Sequence, residues 1–333
     1  MQKEDKKEGK GTRVGIVGAG NVGATVAYSL AMKGVCHEII LRDNNMDRAK
    51  GMALDMSQAA NAARSHTVVS VAEEMKDLTD CDVVVITAGS PRRPGMSRDD
   101  LLFTNANIMK EVVQDIVKYS PDAILIIVTN PLDAMVYTAL KVSGWEKNRV
   151  IGMAGILDSA RMAHFIYEEL RKKNGGVGYA AGQIRASVIG GHGDDMVPLP
   201  KYSTIAGVAL TDLLTKKEID NVVQKTRNGG AEIVGYLKNG SAYYAPAKAT
   251  SIMVEAIIKN TRQIFPCAVS LGKEYGEEYE GIVNGVPVVL GANGAERIIS
   301  IDLDDCQKEQ FRRSINSVKK LIDTLESKNF FNN

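Results

Sequence analysis

The stretch VGIVGAGNVG, Val14–Gly23, decides the fold. Its first half is apolar and suits a buried strand. Its second half sets Gly18, Gly20 and Gly23 in the spacing G-x-G-x-x-G. That spacing alone is weak. Here it follows a strand and opens the helical pattern VGATVAYSLAMKG (Val22–Gly34), the context the motif requires. Gly18 permits a tight turn, Gly20 lets the backbone approach a pyrophosphate, and Gly23 lets helix and strand pack closely. Unpaired N–H groups at the helix start suit phosphate oxygens. Asp43 lies 20 residues beyond Gly23, at the end of the strand-like run Glu38–Asp43. A carboxylate there can accept hydrogen bonds from the ribose of NAD and would repel the 2′-phosphate of NADP. Asp43 also reads as a cap for the helix that follows. Arg42, beside Asn44 and Asn45, keeps NADP open as the lesser alternative.

The alternation continues outward. Strand-like runs at Arg13–Gly18, His66–Ala72, Asp82–Ala88 and Ala123–Pro131 are interleaved with helical patterns at Asn45–Asn61 and Asn105–Tyr119. This predicts an α/β fold, a Rossmann-type doubly wound parallel sheet covered on both faces. The pattern changes near residue 150. An amphipathic helix, Asp158–Lys173, precedes a glycine-rich strand-and-loop segment, Gly175–Pro200. Helices near Glu218–Leu237 and Ala247–Ile264 and a strand at Val286–Gly291 follow. The closing segment, Gln307–Ser327, repeats apolar residues at Phe311, Ile315, Val318, Ile322 and Leu325, the mark of a docked surface helix. The expected division is a flexible tail over 1–11, a nucleotide-binding domain over 12–155 and a catalytic, substrate-binding domain over 156–330.

Composition narrows the function. The chain has 333 residues, 44% hydrophobic, with a formal charge of +1, so neither a nucleic-acid surface nor a polybasic membrane patch is expected. No run approaches a membrane span. The polar start, MQKEDKKEGKGTR, lacks the apolar core of a signal peptide, so a cytoplasmic location is expected. Four scattered cysteines (Cys36, Cys81, Cys267 and Cys306) support neither a disulfide scaffold nor a metal site.

The chain holds four histidines. His37 and His66 border strands, and His164 lies within a helix. His192 sits in ASVIGGHGDDMVPLP with glycines on both sides, where the backbone must pass close to something. A histidine acting as acid and base needs an orienting partner, and Asp194, Asp195 and Asp158 are the candidates. Asp158 also reads as a helix N-cap. Arg161 lies one turn further along, able to pair with Asp158 or to grip a carboxylate with its planar fork. The loop GSPRRPGMSRDDLL (Gly89–Leu102) carries three arginines and reads either as solvated or as an anion site.

With GAGNVG, PRRPGMSRDDLL, VTNPLD, LDSAR, GGHGDDMVP, GSAYYAPA and GANGAERI in this order, the chain resembles the lactate/malate dehydrogenase family, malate dehydrogenase type, over about Arg13–Leu325. The resemblance implies an α+β C-terminal domain, an NAD cofactor and reversible oxidation of (S)-malate to oxaloacetate. It makes His192 the proton donor and acceptor, Asp158 its orienting carboxylate and Arg161 the clamp on the C1 carboxylate. Arg98 becomes the mobile-loop arginine that polarises the carbonyl. Arg92 reads the substrate's second carboxylate, where lactate dehydrogenases typically carry glutamine. Ala242 takes the place of a threonine usual in those enzymes. Asn130 contacts substrate and nicotinamide. The cofactor set it implies is Gly18, Gly20, Asn21, Val22, Gly23, Asp43, Thr87, Ala88, Gly89, Asn105, Val128 and Asn130. The tail before Arg13 and the charge at Arg42 depart from the family pattern. The rivals are a lactate or other 2-hydroxyacid dehydrogenase and an NAD(H) sensor without turnover. The resemblance also implies a homo-oligomer, a tetramer with a dimer as alternative. The small-residue stripe of Asn45–Asn61 is either core or subunit contact.

Overall fold

The computed structural model describes residues 11–91, 95–178, 180–238 and 240–331. The first half runs β1 (Arg13–Val17), α1 (Asn21–Lys33), β2 (Glu38–Arg42), α2 (Met46–Ala62), β3 (Val68–Val71), β4 (Val83–Ile86), α3 (Arg98–Tyr119), β5 (Ile124–Ile127), α4 (Leu132–Ser143) and β6 (Val150–Gly152). These strands pair in parallel in the order β3-β2-β1-β4-β5-β6, the doubly wound order of dinucleotide-binding sheets. Central strands β4 (VVVI) and β5 (ILII) are buried throughout. Successive side chains of a strand point to opposite faces, so continuous apolar runs feed two cores. Val83, Val85, Ile124 and Ile126 enter the core shared with α1, while Val84, Ile86, Leu125 and Ile127 enter the one shared with α3 and α4.

The second half begins with α5 (Gly155–Lys173) and a set of two-residue strands: β7 (Ile184–Arg185), β8 (Val188–Ile189), β9 (Val197–Pro198), β10 (Thr204–Ile205) and β11 (Val208–Ala209). It continues through α6 (Leu210–Leu213), α7 (Lys216–Leu237), α8 (Tyr244–Ile258), β12 (Gln263–Ser270), β13 (Val283–Gly291), β14 (Gly294–Ile298) and α9 (Asp305–Ser327). Strand β12 joins the edge of β6 antiparallel, with Ala268 opposite Gly152, and β13 and β14 extend it. One nine-stranded sheet therefore runs through both halves.

Several elements differ from expectation. Helix α3 starts at Arg98 rather than Asn105, because Ser97 and Asp100 form a reciprocal capping box that nucleates it early. The last part of the arginine loop, from Arg98 to Leu102, is thus helix, and Arg92, Arg93 and Pro94 lie outside the described residues. Helix α4 and strand β6 had no counterpart in the sequence reading. Helix α8 ends at Ile258, not Ile264: Asn260 and Arg262 adopt left-handed φ values of 47° and 54°, and the chain leaves as β12. Helix α5 begins at Gly155, which puts Asp158 inside its first turn.

Candidate active site

The crevice begins where β1 ends. Gly20 precedes α1 without any side-chain cap, and no acidic residue occupies the helix's first turn. The first N–H groups of the helix are thus left for an external acceptor. A Cβ on Gly23 would collide with the carbonyl oxygen of Gly18, whereas one on Gly20 would meet nothing within 4 Å. So Gly23 is demanded by packing, and Gly20 borders open space that suits a pyrophosphate. Asp43 accepts from the backbone N–H of Ala19 through Oδ2 (2.6 Å) and from that of Asn45 through Oδ1 (2.8 Å). Both oxygens keep lone pairs for ribose hydroxyls. The cap of α2 is Asn45, which accepts from Arg48 N–H at 3.1 Å, so Asp43 is not the cap. Arg42 folds back onto the carbonyl of Asp43. These residues fit a dinucleotide, with ribose at Asp43 and phosphates at the α1 terminus.

The floor of the crevice is built from the ends of β4 and β5, at the carboxyl edge where open α/β sheets bind ligands. Thr87 donates through Oγ1 to Gly18 O (2.8 Å), and the N–H groups of Thr87 and Ala88 both reach Val17 O at 2.9 Å. Val128 is buried and donates its N–H to Ile86 O at 2.9 Å. Asn105, expected to touch cofactor, is buried as a brace. Its Oδ1 accepts from Ser90 N–H (2.7 Å), and its Nδ2 donates to Ser90 O (3.2 Å) and Asn130 O (2.7 Å). The brace joins the chain after β4, including Gly89, to the exposed Asn130.

A second cluster brings together α5 and the β8–β9 turn. Asp158, 1% exposed, bridges two groups. Its Oδ2 meets His192 Nδ1 at 2.9 Å, and its Oδ1 meets Arg161 Nη1 at 3.0 Å. A carboxylate only accepts, so Nδ1 carries the proton and Nε2 is the atom that titrates. Burial pulls the imidazole pKa down, but the charge and hydrogen bond of Asp158 and the charge of Asp133 outweigh it, and the net direction is upward from 6.5. Asp194 and Asp195 are not the partner: both are exposed, and Asp195 accepts from Ser317 Oγ at 2.6 Å. His37, His66 and His164 lie at the exposed surface, away from this cluster. Arg98 is exposed at the start of α3, with no hydrogen bond or ion pair to the cluster.

The backbone around His192 is held as firmly as its ring. Gly190, at φ 91°, donates its N–H to Gly285 O (2.8 Å), a turn that a side chain would strain. Gly191 N–H reaches Ser314 Oγ (2.7 Å), and His192 N–H reaches Asp133 Oδ2 (2.9 Å). Ser159 Oγ accepts from Val188 N–H at 2.9 Å, fastening α5 to β8 just ahead of the turn. The sequence reading missed Asp133, Ser159, Ser314 and Gly230. A Cβ on Gly230 would stand 3.5 Å from Arg161 Nη2, so α7 lies against that guanidinium. It also missed Arg48, which donates from Nη2 to Asn21 Oδ1 at 3.1 Å beside the glycine turn. The GG pair within α7 was the one legible signal, since glycine weakens a helix interior and calls for a packing reason.

Two family models match this chain: the lactate/malate dehydrogenase NAD-binding domain over residues 12–152, and the lactate/malate dehydrogenase alpha/beta C-terminal domain over 156–329. The chain belongs to the lactate/malate dehydrogenase family. It is an oxidoreductase whose cofactor is NAD. A malate dehydrogenase of Sulfurimonas denitrificans is 70% identical over 322 residues, covering 97% of this chain and 98% of the relative. One from Bacillus subtilis is 45% identical over 314 residues, covering 94% and 98%. Among solved structures, malate dehydrogenase from Salinibacter ruber superposes with a TM-score of 0.88 at 40% identity, covering 95% of this chain and 98% of that one. Lactate dehydrogenase from Cryptosporidium parvum, complexed with lactic acid and nicotinamide adenine dinucleotide, reaches 0.89 at 36% identity with the same coverage. The fold is therefore common to both activities, and substrate choice lies in side chains.

Proposed function

We propose that the chain interconverts (S)-malate and oxaloacetate with NAD, using His192 as acid and base. One observation carries the reading of the site. Arg161 Nε is buried without a hydrogen-bond partner among the described residues, while Nη1 is engaged by Asp158. A guanidinium with an unmet donor beside a histidine calls for a planar acceptor, and the carboxylate of a 2-hydroxy acid supplies one. NAD, when bound, accepts or supplies the hydride. Arg161 holds the C1 carboxylate, and His192 Nε2 gives its proton to the carbonyl oxygen or recovers it from the hydroxyl. Asp158 holds the tautomer and favours the imidazolium. Arg98 reaches the same oxygen when its segment closes and stabilises the charge gathering there. Arg92 pairs with the second carboxylate, and Asn130 orients the substrate. Gly18, Gly20, Asn21, Val22 and Gly23 hold pyrophosphate, Asp43 holds ribose, and Thr87, Ala88, Gly89 and Val128 line the nicotinamide side, with Asn105 behind them.

The choice of malate over lactate is supported by the relatives' name and by Arg92, which would be unpaired opposite a methyl group. Oxidation of NADH with oxaloacetate and then pyruvate, followed by absorbance, tests it. Fast turnover of oxaloacetate alone is expected, and faster turnover of pyruvate overturns the assignment. We further propose a nucleotide-binding domain over 12–155 and a catalytic domain over 156–330 after a tail over 1–11, a reading supported for the two domains by family models spanning 12–152 and 156–329. We also propose a cytoplasmic homotetramer, or a dimer. Within helix α2, Ala49, Ala53, Met56 and Ala60 are buried in the core, so the proposal of association rests on the family resemblance. Light scattering on the purified chain decides the state, and a monomer would exclude both.

A further inference from the structure

We infer that Asp133 is a positioning residue for His192: a second carboxylate behind the ring, which fixes the histidine's backbone and strengthens its hold on a proton. The inference rests on the acid/base role proposed above. Asp133 lies in the first turn of α4, three residues after Asn130, and is 5% exposed. Its Oδ2 accepts the N–H of His192 at 2.9 Å. Its Oδ1 is buried and has no hydrogen-bond partner among the described residues. A lone buried N–H can be satisfied by a neutral acceptor, such as the serine that serves Gly191. A carboxylate with one unsolvated oxygen is a costly way to do the same work. The charge itself is what the neutral alternatives lack.

His192 approaches Asp133 from the β8–β9 turn, and Asp158 from α5 acts on that carboxylate through space. Ser314 and Val318 of helix α9 lie beside Gly191, next to Asp133 Oδ2, and the Gly285 carbonyl of β13 accepts from Gly190. Arg161, beyond Asp158, opposes the protonation of His192. Burial pushes the Asp133 carboxyl up to about 6, against the pull of the His192 N–H and charge, with the Asp158 charge adding to the rise. Above that pH, Asp133 is an anion and reinforces Asp158 in holding the imidazolium. Below it, a proton can settle on Oδ1 while Oδ2 keeps its grip on the backbone. The loop then stays in place and only the field at the ring weakens. Asp133 acts as an electrostatic adjuster on a fixed mount.

Asp133→Asn separates the two roles, because its amide oxygen can still accept from His192 N–H while the charge is gone. Removing a nearby negative charge lowers the His192 pKa. Malate oxidation needs the neutral ring, so its rising limb should move to lower pH. Oxaloacetate reduction needs the protonated ring, so its falling limb should move the same way. A displacement of about half a unit or more, roughly threefold in the proton equilibrium, is expected for both. Asp133→Ala loses the acceptor as well, and kcat should drop by about tenfold beyond the Asn variant with KM nearly constant. Proton NMR titration of His192 in the cofactor-free chain, assigned by the signal missing in His192→Asn, reads the pKa without any turnover. The same imidazole pKa and the same two limbs in Asp133→Asn as in the unaltered chain overturn the inference, whatever happens to stability or kcat. If the Ala variant does not fold, the Asn variant carries the test alone. A chain that turns over neither oxaloacetate nor pyruvate removes the proposed function, and the NMR titration still decides whether Asp133 tunes the ring.

Discussion

The nucleotide crevice and the acid/base cluster are built on opposite plans. The crevice is made of backbone: helix N–H groups, glycines that leave room, and one carboxylate, Asp43, itself held by two main-chain donors. Its glycine turn and its carboxylate fall within 13–43 along the chain, on β1, α1 and the end of β2, and only its floor comes from further on, at the ends of β4 and β5. The acid/base cluster is made of side chains drawn from α4, α5, the β8–β9 turn and α9. Local construction tolerates change in most side chains but not in volume. Distributed construction tolerates change in volume at its margins but not in the identity of a few groups.

Substitutions can break this contrast, and the largest effect is expected in the distributed cluster. His192→Asn should cut turnover by about a thousandfold or more and leave NADH affinity nearly intact, measured by fluorescence titration. Normal turnover would remove His192 as the acid and base. Arg92→Gln should lower oxaloacetate turnover by about a hundredfold and raise use of pyruvate, because a neutral group replaces the partner of the second carboxylate. Full retained activity would dismiss that role. In the crevice, Asp43→Ser should weaken NADH binding by about tenfold and narrow the gap to NADPH. An unchanged preference would point instead to Arg42 or Arg48. The smallest effect is expected from Ser314→Ala, which strands the buried Gly191 N–H and should cost about 1–3 kcal/mol in thermal or urea unfolding, with a lesser loss of kcat. A turnover loss as large as that of His192→Asn would mean that the mount, not the ring, limits the reaction.

Legibility followed the same divide. The parallel sheet, the glycine turn and the position of Asp43 could be read because strand periodicity, helix start and a carboxylate at a strand end follow one another at short, regular distances. His192 and Asp158 could be named, but the local pattern of Asp158 fitted a helix cap equally well. Only the 2.9 Å approach of an element 34 residues away resolves it. Asp133 and Ser314 were invisible for that reason: each serves a backbone N–H 59 or 123 residues distant, and no spacing encodes such a partner. Helix α4, LDAMVYTALKVS, escaped notice because it follows the preceding strand run directly, starting after Pro131 with no side-chain cap to mark its start.

Helix α9 links the two plans in time as well as in space. Its Phe311 and Ile315 enter the core shared with α1, its Leu325 enters the one shared with α3 and α4, and its Ser314 holds Gly191. It follows every other element described, while domains generally fold in the order in which they are made. The turn bearing His192 therefore has no firm seat until residue 314 has left the ribosome. A growing chain thus lacks a firmly mounted acid and base until its synthesis has passed helix α9.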